Sequence, residues 1–440
     1  MLNKVCFAIL SACGLASAYA VAEQTGPYSA FKAALNYDSS FQAANHQYQA
    51  EQLETGISRS ALLPRISLLG NLDKNTEIQG FTRNTTRTTQ SDYDRAYYQA
   101  VLQQPMFNLP AWYGYQQGVK RAETASYNLK SSKDQLLMDL ITAYAQSIYE
   151  EKNIDLSRSL IKTLEAQIES AQRQFAAGTG TITDVYSAQS KKDLAAIELI
   201  EAGNRQETAL RKLKQLTGID NIDLKPLRAN GNWQLPITGL QQLQTQAMAS
   251  NPDLAIKQSE LEQTTLELHK TRAAFLPRLD FVAQTESFDR KFSNFEDSTT
   301  SRRFGLELTI AFLDGGRDIY RERQLAELRE KSRAEVNYTS SSLGSELDNQ
   351  YQLFKTAEKK IEALKLAQES SEHYVYASKK SYEAGVRTLI DTLDADRQLY
   401  QARRDLAQSY LQYILSWLKV MTLTGNMNDE QLILIDQLFG

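Results

Sequence analysis

Cysteine is nearly absent from this sequence: the 440 residues include two, and both lie within the first 22 positions. Those positions combine one basic residue, Lys4, with the apolar run VCFAILSACGLASA and end in small residues, as secretory signal peptides do. Removal of this segment leaves a mature chain without cysteine, which excludes disulfides as a source of stability after export. The alternative is that Leu10-Ser11-Ala12-Cys13 is a lipoprotein processing box, which would leave Cys13 acylated at the mature N-terminus.

Three further features are missing from the mature chain. No apolar run approaches the roughly 18 residues of a membrane-spanning helix, so the protein is either soluble in its export compartment or enters a membrane as strands. Without Lys4 the chain has 48 basic against 53 acidic residues, and no basic excess indicates nucleic-acid binding. His46, His269 and His373 lie far apart, and phosphate-binding glycine loops are absent. We therefore expect no metal, no cofactor and no enzymatic activity.

What the mature sequence does contain is one internal duplication. The segment ALLPRISLLGNL from Ala61 is echoed by AFLPRLDFVAQT from Ala274. The segment GTGTITDVYSAQ from Gly178 is echoed 207 positions later by GVRTLIDTLDAD from Gly385. This period is far longer than the roughly 20 to 50 residues of solenoid repeats, so it indicates one duplicated half. We predict a signal peptide at 1–22, a first repeat at 23–217, an equatorial linker at 218–240, a second repeat at 241–425 and a C-terminal tail at 426–440.

Each repeat is predicted to contain a pair of very long helices. The stretches Ala111–Phe175 and Asp318–Glu383 lack proline, and their apolar residues recur at intervals of four and three, as in a coiled coil. About 65 residues at ~1.5 Å each would form a rod on the order of 100 Å long. Both rods break at a glycine turn, containing Gly178 and Gly180 in the first repeat and Gly385 in the second. A partner helix then returns, so each repeat is expected to carry a helical hairpin with these glycines as hinges.

Each repeat also contains two segments that alternate with period two, a pattern typical of strands. The two pairs fall within 65–104 and 278–312, and the segments are Arg65–Asp73, Tyr93–Gln103, Arg278–Phe288 and Arg303–Phe312. About 9 to 12 residues suffice for a tilted membrane strand. The polar stretches beginning at Lys74 and Arg290 are predicted to be exposed loops. Four strands cannot close a barrel, and an open sheet edge in lipid leaves backbone groups without hydrogen bonds. Several chains must therefore combine their strands, and three chains would supply twelve.

The repeated LPRISL and LPRLDF segments, the paired strands, the glycine-hinged helices and the run RTLIDTLDA from Arg387 together resemble the TolC family of outer-membrane channel proteins. The resemblance covers essentially the whole mature chain. It implies a mainly α fold with membrane β structure: a trimeric twelve-stranded outer-membrane barrel, four strands per chain, continued by a long α-helical barrel in the periplasm.

The same resemblance implies the function and the partners. The protein would be the exit duct of a Gram-negative bacterium, located in the outer membrane with its helical portion in the periplasm. It would export drugs or proteins together with a periplasmic adaptor and an inner-membrane efflux pump or ABC transporter, and its strands would contact outer-membrane lipid. The family does not by itself decide between drug efflux and protein secretion.

The turn of the second hairpin is followed by three aspartates, at positions 391, 394 and 396. Thr388 with Asp391, like Thr181 with Asp184 in the first repeat, fits a helix N-terminal capping box. Capping does not explain Asp394, whose counterpart in the first repeat is Ser187. The second turn has therefore diverged toward negative charge.

A gate is the functional hypothesis for these carboxylates. Asp391 and Asp394 are three residues apart and share a helix face, so a threefold assembly would stack them as two rings, an arrangement found in cation-selective constrictions. The family resemblance implies the same position at the periplasmic entrance. It also implies that four matching residues tie the inner hairpin to its outer neighbour and hold the pore shut: Tyr382, Arg387, Thr183 and Asp184. Asp396 lies off the shared face and is expected to be solvated.

Two other classes of protein remain open from the sequence. A soluble exported coiled-coil protein with a structural or adhesive role would explain the helices but not the strands. A periplasmic adaptor would share the helical hairpins, but adaptors normally carry compact β-domains instead of four isolated strands. The exported substrate cannot be read from the chain, because a duct serves whichever inner-membrane machine recruits it.

Overall fold

A computed structural model describes residues 24–82, 86–228, 234–293, 295–311 and 314–440. The predicted signal peptide and Phe312 therefore lie outside the described residues. The first half of the chain contains α1 (Pro27–Tyr37), α2 (Ser39–Gln52), α3 (Glu54–Ser60), β1 (Arg65–Thr82), β2 (Thr86–Phe107), α4 (Leu109–Ala176) and α5 (Ile182–Thr217). The second half contains α6 (Leu240–Ser250), α7 (Pro252–Ala273), β3 (Arg278–Phe292), β4 (Glu296–Thr309), α8 (Arg317–Glu383), α9 (Leu389–Leu423) and α10 (Asp429–Asp436).

Two long helical hairpins dominate the structure. Helices α4 and α8 have 68 and 67 residues, so each is a rod of about 100 Å at ~1.5 Å per residue. Helix α5 returns along α4 and helix α9 along α8, and the two hairpins contact each other mainly through α4 and α9. None of the described helices combines the length and the apolar composition that crossing a bilayer requires.

The main hydrophobic core lies around the middle of the hairpins, where shorter segments pack across them. Trp417, Tyr144 and Tyr413 are fully buried there. Their polar atoms bond to the backbone of these segments: the Trp417 indole donates to the Pro236 carbonyl at 2.9 Å, and the Tyr413 hydroxyl accepts from the Leu235 N–H at 3.0 Å. The predicted linker and C-terminal tail thus form part of this core, and the tail contains α10.

The four strands form one antiparallel sheet in the order β1-β2-β3-β4. They are longer than predicted, because most of the polar stretches assigned to loops continue the strands. In the first hairpin Lys74 pairs with Asp94, and pairing extends to Thr82 and Thr86 beside the turn. Backbone hydrogen bonds between neighbouring strands do not depend on apolar side chains, and threonine favours extended conformations. The prediction of exposed loops from Lys74 and from Arg290 was therefore wrong over most of their length.

The two faces of the sheet differ in polarity. Residues directly opposite one another across the four strands share a face of the sheet, and each such set of four is termed a rung. The rung Ile66, Leu102, Ala283 and Phe304 is apolar, whereas the next rung, Ser67, Val101, Gln284 and Arg303, is mostly polar. On the apolar face Leu68 is 82% exposed and Phe304 80% exposed in the single chain. Large exposed apolar surfaces of this kind mark a face that contacts a partner or a membrane.

One partly buried carboxyl in the helical part makes stability depend on pH. Asp134 lies on α4, and its Oδ2 atom is buried without a hydrogen-bond partner. Burial raises the pKa of Asp134 to about 6, against the smaller opposing effect of Lys130 and Lys133. Because the pKa is higher in the folded than in the unfolded chain, the carboxyl favours folding when protonated, and this contribution is lost as pH rises from about 4 to about 6.

Replacing Asp134 by asparagine is therefore expected to stabilise the protein at neutral pH. The gain in the free energy of unfolding should be about 1 to 3 kcal/mol at pH 7.5 and near zero at pH 4, since each pKa unit corresponds to about 1.36 kcal/mol. Thermal unfolding followed by circular dichroism in mild detergent at both pH values measures this difference. The matched control is Asp139→Asn, at a more exposed carboxylate on the same helix. An equal or lower melting temperature for the Asp134 variant at pH 7.5 would contradict the assignment.

Candidate gate at the hairpin tips

The two hairpins turn in the same way. In each turn the two residues after the glycine donate backbone N–H groups to one carbonyl, that of Gln174 in the first hairpin and of Ser381 in the second. Gly178 and Gly385 have φ of 74° and 73°, a left-handed conformation that is unstrained for glycine alone. Gly180 contributes differently, because a Cβ there would lie 3.0 Å from the Gln174 Cβ. Two of the three predicted hinge glycines thus supply the left-handed turn.

Both predicted capping boxes are present. The Asp391 Oδ2 atom accepts hydrogen bonds from the Thr388 N–H at 2.9 Å and the Thr388 hydroxyl at 2.7 Å. Asp184 caps α5 through the corresponding bonds from Thr181, at 3.1 and 2.8 Å. The bonds from the Thr388 side chain and then its backbone lower the pKa of Asp391, so this carboxylate stays ionised at neutral pH. Capping accounts for the position of Asp391 and Asp184 but leaves the Asp391 charge exposed at the tip.

Asp394 connects the two hairpins. Its side chain is 62% exposed, and it forms an ion pair of 2.5 Å with the Lys191 ammonium group on α5. The pair therefore spans from the start of α9 to the first hairpin. An exposed ion pair contributes little to stability because water screens it, on the order of 0 to 1 kcal/mol. Asp394 is three residues after Asp391, so both carboxylates lie in the first turns of α9.

Asp396 is buried, and the prediction that it is solvated was wrong. The residue is 8% exposed, accepts a hydrogen bond of 2.7 Å from the Gln167 amide on α4, and lies 3.1 Å from the Lys379 ammonium on α8. It follows the buried Leu389 and Leu393 at intervals of seven and three, which place all three on the face that packs against the first hairpin. This heptad spacing is the signal in the sequence that identifies Asp396 as buried.

Of the four predicted locking residues, Tyr382 reaches the other hairpin within one chain. Its hydroxyl donates to the Gln174 side-chain carbonyl on α4 at 2.8 Å. Arg387 instead donates to the Tyr374 hydroxyl in its own hairpin at 3.0 Å, with its guanidinium over the Tyr374 ring. Thr183 is exposed at the start of α5. The roles of Arg387, Thr183 and Asp184 as locks between hairpins therefore stay predictions.

A small apolar cluster lies beside these polar contacts. It is built from leucine and isoleucine of α4 and α9 against alanines, and consists of Leu164, Ile168, Ala171, Ala188, Ala195, Leu389 and Leu393. Alanine side chains allow the helices to approach closely but bury little apolar area. Tyr382, Asp394 and Asp396 add polar contacts between the two hairpins beside this cluster. Within the described ranges no cluster of histidine, cysteine, aspartate or glutamate has the arrangement of a metal site.

The order of elements, the strand pairs and the paired hairpins can be compared with known proteins. The model of the family described as outer membrane efflux protein matches residues 30–219 and 243–426, most of the chain. The chain belongs to the outer membrane efflux protein family. The two matched segments overlap the two repeats predicted from the sequence.

Relatives that are similar over nearly the full length of this chain support its membership of the family. The chain is 29% identical to the alkaline protease secretion protein AprF of Pseudomonas aeruginosa, covering 91% of this chain and 85% of the relative. It is 26% identical to the proteases secretion protein PrtF of Dickeya chrysanthemi, covering 94% and 90%. Identity to the outer membrane protein TolC of Escherichia coli is 22%, covering 92% and 81%. The resemblance to the TolC family is thereby confirmed.

Solved structures share the fold. A membrane protein from Pseudomonas aeruginosa superimposes with a TM-score of 0.81 at 17% identity, covering 92% of both chains. The outer membrane channel CmeC of Campylobacter jejuni gives 0.79 at 14% identity, covering 93% of this chain and 89% of that one. The protein is thus an outer-membrane exit duct with its helical part in the periplasm. Family membership excludes the alternatives of a soluble coiled-coil protein and a periplasmic adaptor.

Proposed function

We propose that this protein is a homotrimeric exit duct that carries secreted proteins across the outer membrane. In this proposal it works with an inner-membrane transporter of the ABC type and a periplasmic adaptor, and it transports its cargo without catalysing a reaction. Each copy contributes four strands to a twelve-stranded barrel and two helical hairpins to a periplasmic tube. The exposed apolar face of the sheet contacts outer-membrane lipid.

The similarity to protein-secretion channels supports secreted proteins as the proposed cargo. Identity to AprF and PrtF is 29% and 26% across more than nine-tenths of this chain, compared with 22% for TolC. Because these matches extend over strands and hairpins alike, they favour a common role for the whole duct and not for one segment. Proteases are the cargo named for both secretion relatives.

The trimer is supported by the geometry of the sheet. Strands β1 and β4 are the edges of the four-stranded sheet in one chain. An edge in lipid leaves backbone groups without hydrogen bonds at a cost of several kcal/mol each, so the edges must meet other strands. Three copies supply twelve strands, within the range of known membrane barrels.

The gate is proposed at the hairpin tips. Asp391 and Asp394 would line the periplasmic entrance as two carboxylate rings, and Tyr382, Arg387, Thr183 and Asp184 would hold the hairpins together in the closed state. The contacts from Tyr382 to Gln174 and from Asp394 to Lys191 support this location, since both join the second hairpin to the first.

Deletion of the gene, followed by two assays in parallel, tests the proposed cargo. We expect secreted protein in the culture medium, measured by quantitative mass spectrometry, to fall at least tenfold for one or more proteases. Minimal inhibitory concentrations of a panel of drugs should stay within twofold of the parent. Secretion should return when the full-length gene is restored, which controls for effects on neighbouring genes.

Drug efflux is the second candidate, supported by the family description and the similarity to TolC. Greater drug sensitivity with unchanged secretion would support efflux and contradict the proposed cargo. A change in neither assay would contradict both.

A further inference from the structure

Among the described strands, the sheet has two edges that point away from each other. β1 pairs with β2 on one side, and β4 pairs with β3 on one side. Because all neighbouring strands are antiparallel, β1 and β4 run in opposite directions. In a ring of copies, β4 of one copy therefore meets β1 of the next as an antiparallel pair.

Building on the trimer proposed above, we propose that this seam between copies has one register, in which Leu308 of one copy lies opposite Leu68 of the next and Arg303 lies opposite Asp73. Each edge strand thus pairs with an edge strand of a second copy of this chain. The register follows from three independent properties of the strands: their apolar faces, their polar faces and the tilt that the register imposes.

In this register the apolar residues of β4 lie opposite apolar residues of β1, except that Leu306 lies opposite Gly70. Large exposed aliphatic and aromatic residues occur at Ile66, Leu68 and Leu72 on β1 and at Phe304, Leu306, Leu308 and Ile310 along and just after β4. The proposed register sets Ile310 opposite Ile66 and Phe304 opposite Leu72. A shift of two residues would place Leu72 opposite Arg302, and a shift of two the other way would place Lys74 opposite Phe304. Shifts by one residue are excluded, since they would turn one strand's apolar side chains to the polar face.

The polar face forms an ion pair in this register. Asp73 and Arg303 are both exposed, and Arg303 donates to Gln284 at 3.1 Å within its own chain. Opposite charges directly across two strands contribute about 0.2 to 1 kcal/mol, and neither shifted register provides this pair. The same register places Lys74 opposite Arg302 at the end of the apolar face, and like charges directly opposite one another oppose pairing. Both side chains are exposed in the single chain, so water or lipid phosphate groups can screen them.

The tilt of the strands independently disfavours one of the two shifted registers. The rung through Ile66, Leu102, Ala283 and Phe304 meets Leu72 of the next copy, six positions further along β1. With a rise of ~3.3 Å per residue and a strand spacing of ~4.8 Å, twelve strands with this offset per copy tilt by about 46°. Offsets of four and eight positions give about 35° and about 54°. Membrane barrels tilt by about 35 to 45°, so tilt disfavours the largest offset, and the contact of Leu72 with Arg302 disfavours the smallest.

Engineered cysteines test the register in a favourable background, because the two native cysteines lie in the predicted signal peptide. The variant carrying Leu68→Cys and Leu308→Cys, expressed at full length, is oxidised in isolated outer membranes. We expect a covalent trimer on denaturing gels that disappears with reductant. The matched controls combine Leu68→Cys with Leu306→Cys or with Ile310→Cys, one for each shifted register. The proposed pair should cross-link at least tenfold faster than either control.

The charge pair gives a second readout. Asp73→Arg alone should weaken the resistance of the trimer to heat in detergent, and adding Arg303→Asp should restore it. Faster cross-linking of a shifted pair, or no cross-linking of any pair in a verified trimer whose cysteines react with maleimide, would overturn the register. The mass of the complex in detergent, measured separately, distinguishes this failure from failure of the trimer itself.

Discussion

Channels of the double variant Tyr382→Phe, Asp396→Ala are expected to open far more readily than the parent channel. The first change removes the hydroxyl that donates to Gln174, and the second removes the acceptor of Gln167 together with the ionic partner of Lys379. Hydrogen bonds contribute about 0.5 to 1.5 kcal/mol net, and more when one group is charged. In the proposed trimer the two substitutions act in each of three copies, so their effects on the closed state sum to several kcal/mol. About 1.4 kcal/mol changes an equilibrium tenfold.

Conductance in planar bilayers and sensitivity of cells to vancomycin measure this opening. We expect at least a several-fold larger mean conductance and a marked rise in sensitivity. The matched control is Tyr374→Phe, which removes the bond from Arg387 inside one hairpin and should leave conductance unchanged. The variant Arg387→Ser tests a separate contact. If its channels open and those of Tyr374→Phe do not, Arg387 contacts the neighbouring copy. Unchanged conductance of the double variant would remove Tyr382 and Asp396 from the gate.

Loss of the two carboxylate rings should change ion selection instead of opening. If the proposed rings exist, the double variant Asp391→Asn, Asp394→Asn removes six negative charges from a narrow entrance, where charges interact more strongly than at an open surface. Cation selectivity should fall, and block by a trivalent cation applied from the periplasmic side should weaken at least tenfold. The protein should keep its thermal stability, because Thr388 continues to cap α9.

The pH dependence of this block follows from Asp391. Hydrogen bonds from Thr388 lower its pKa, so the charge is present at neutral and mildly acidic pH and is lost only when pH falls through the lowered value. We therefore expect block of the parent channel to persist at pH 5. The control variant is Asp193→Asn, at an exposed carboxylate of α5, which should keep both selectivity and block. If the double variant loses thermal stability yet keeps selectivity and block, the two aspartates are structural caps.

Much of the architecture is determined locally and could be predicted. The spacing of apolar residues specifies the long helices, glycine at Gly178 and Gly385 specifies left-handed turns, and threonine three residues before aspartate specifies each cap. Each of these depends on residues within about one or two helical turns. The period-two alternation likewise located all four strands, but not their ends, because pairing continues wherever a neighbouring backbone is available.

Contacts between segments that are distant in the sequence depend on the tertiary structure. Asp396 is buried because α9 packs against α4, so a carboxylate that looks like part of a polar run meets Gln167, 229 positions earlier. Lys191 and Gln174 contact the proposed gate residues Asp394 and Tyr382 for the same reason, since residues on separate helices meet only once both hairpins have packed. The sequence by itself determined the duplicated hairpins, the turns and the helix caps, because these are local. Which polar side chains join one hairpin to the other depended on helix packing, because those contacts close loops of some 200 residues that local patterns do not specify.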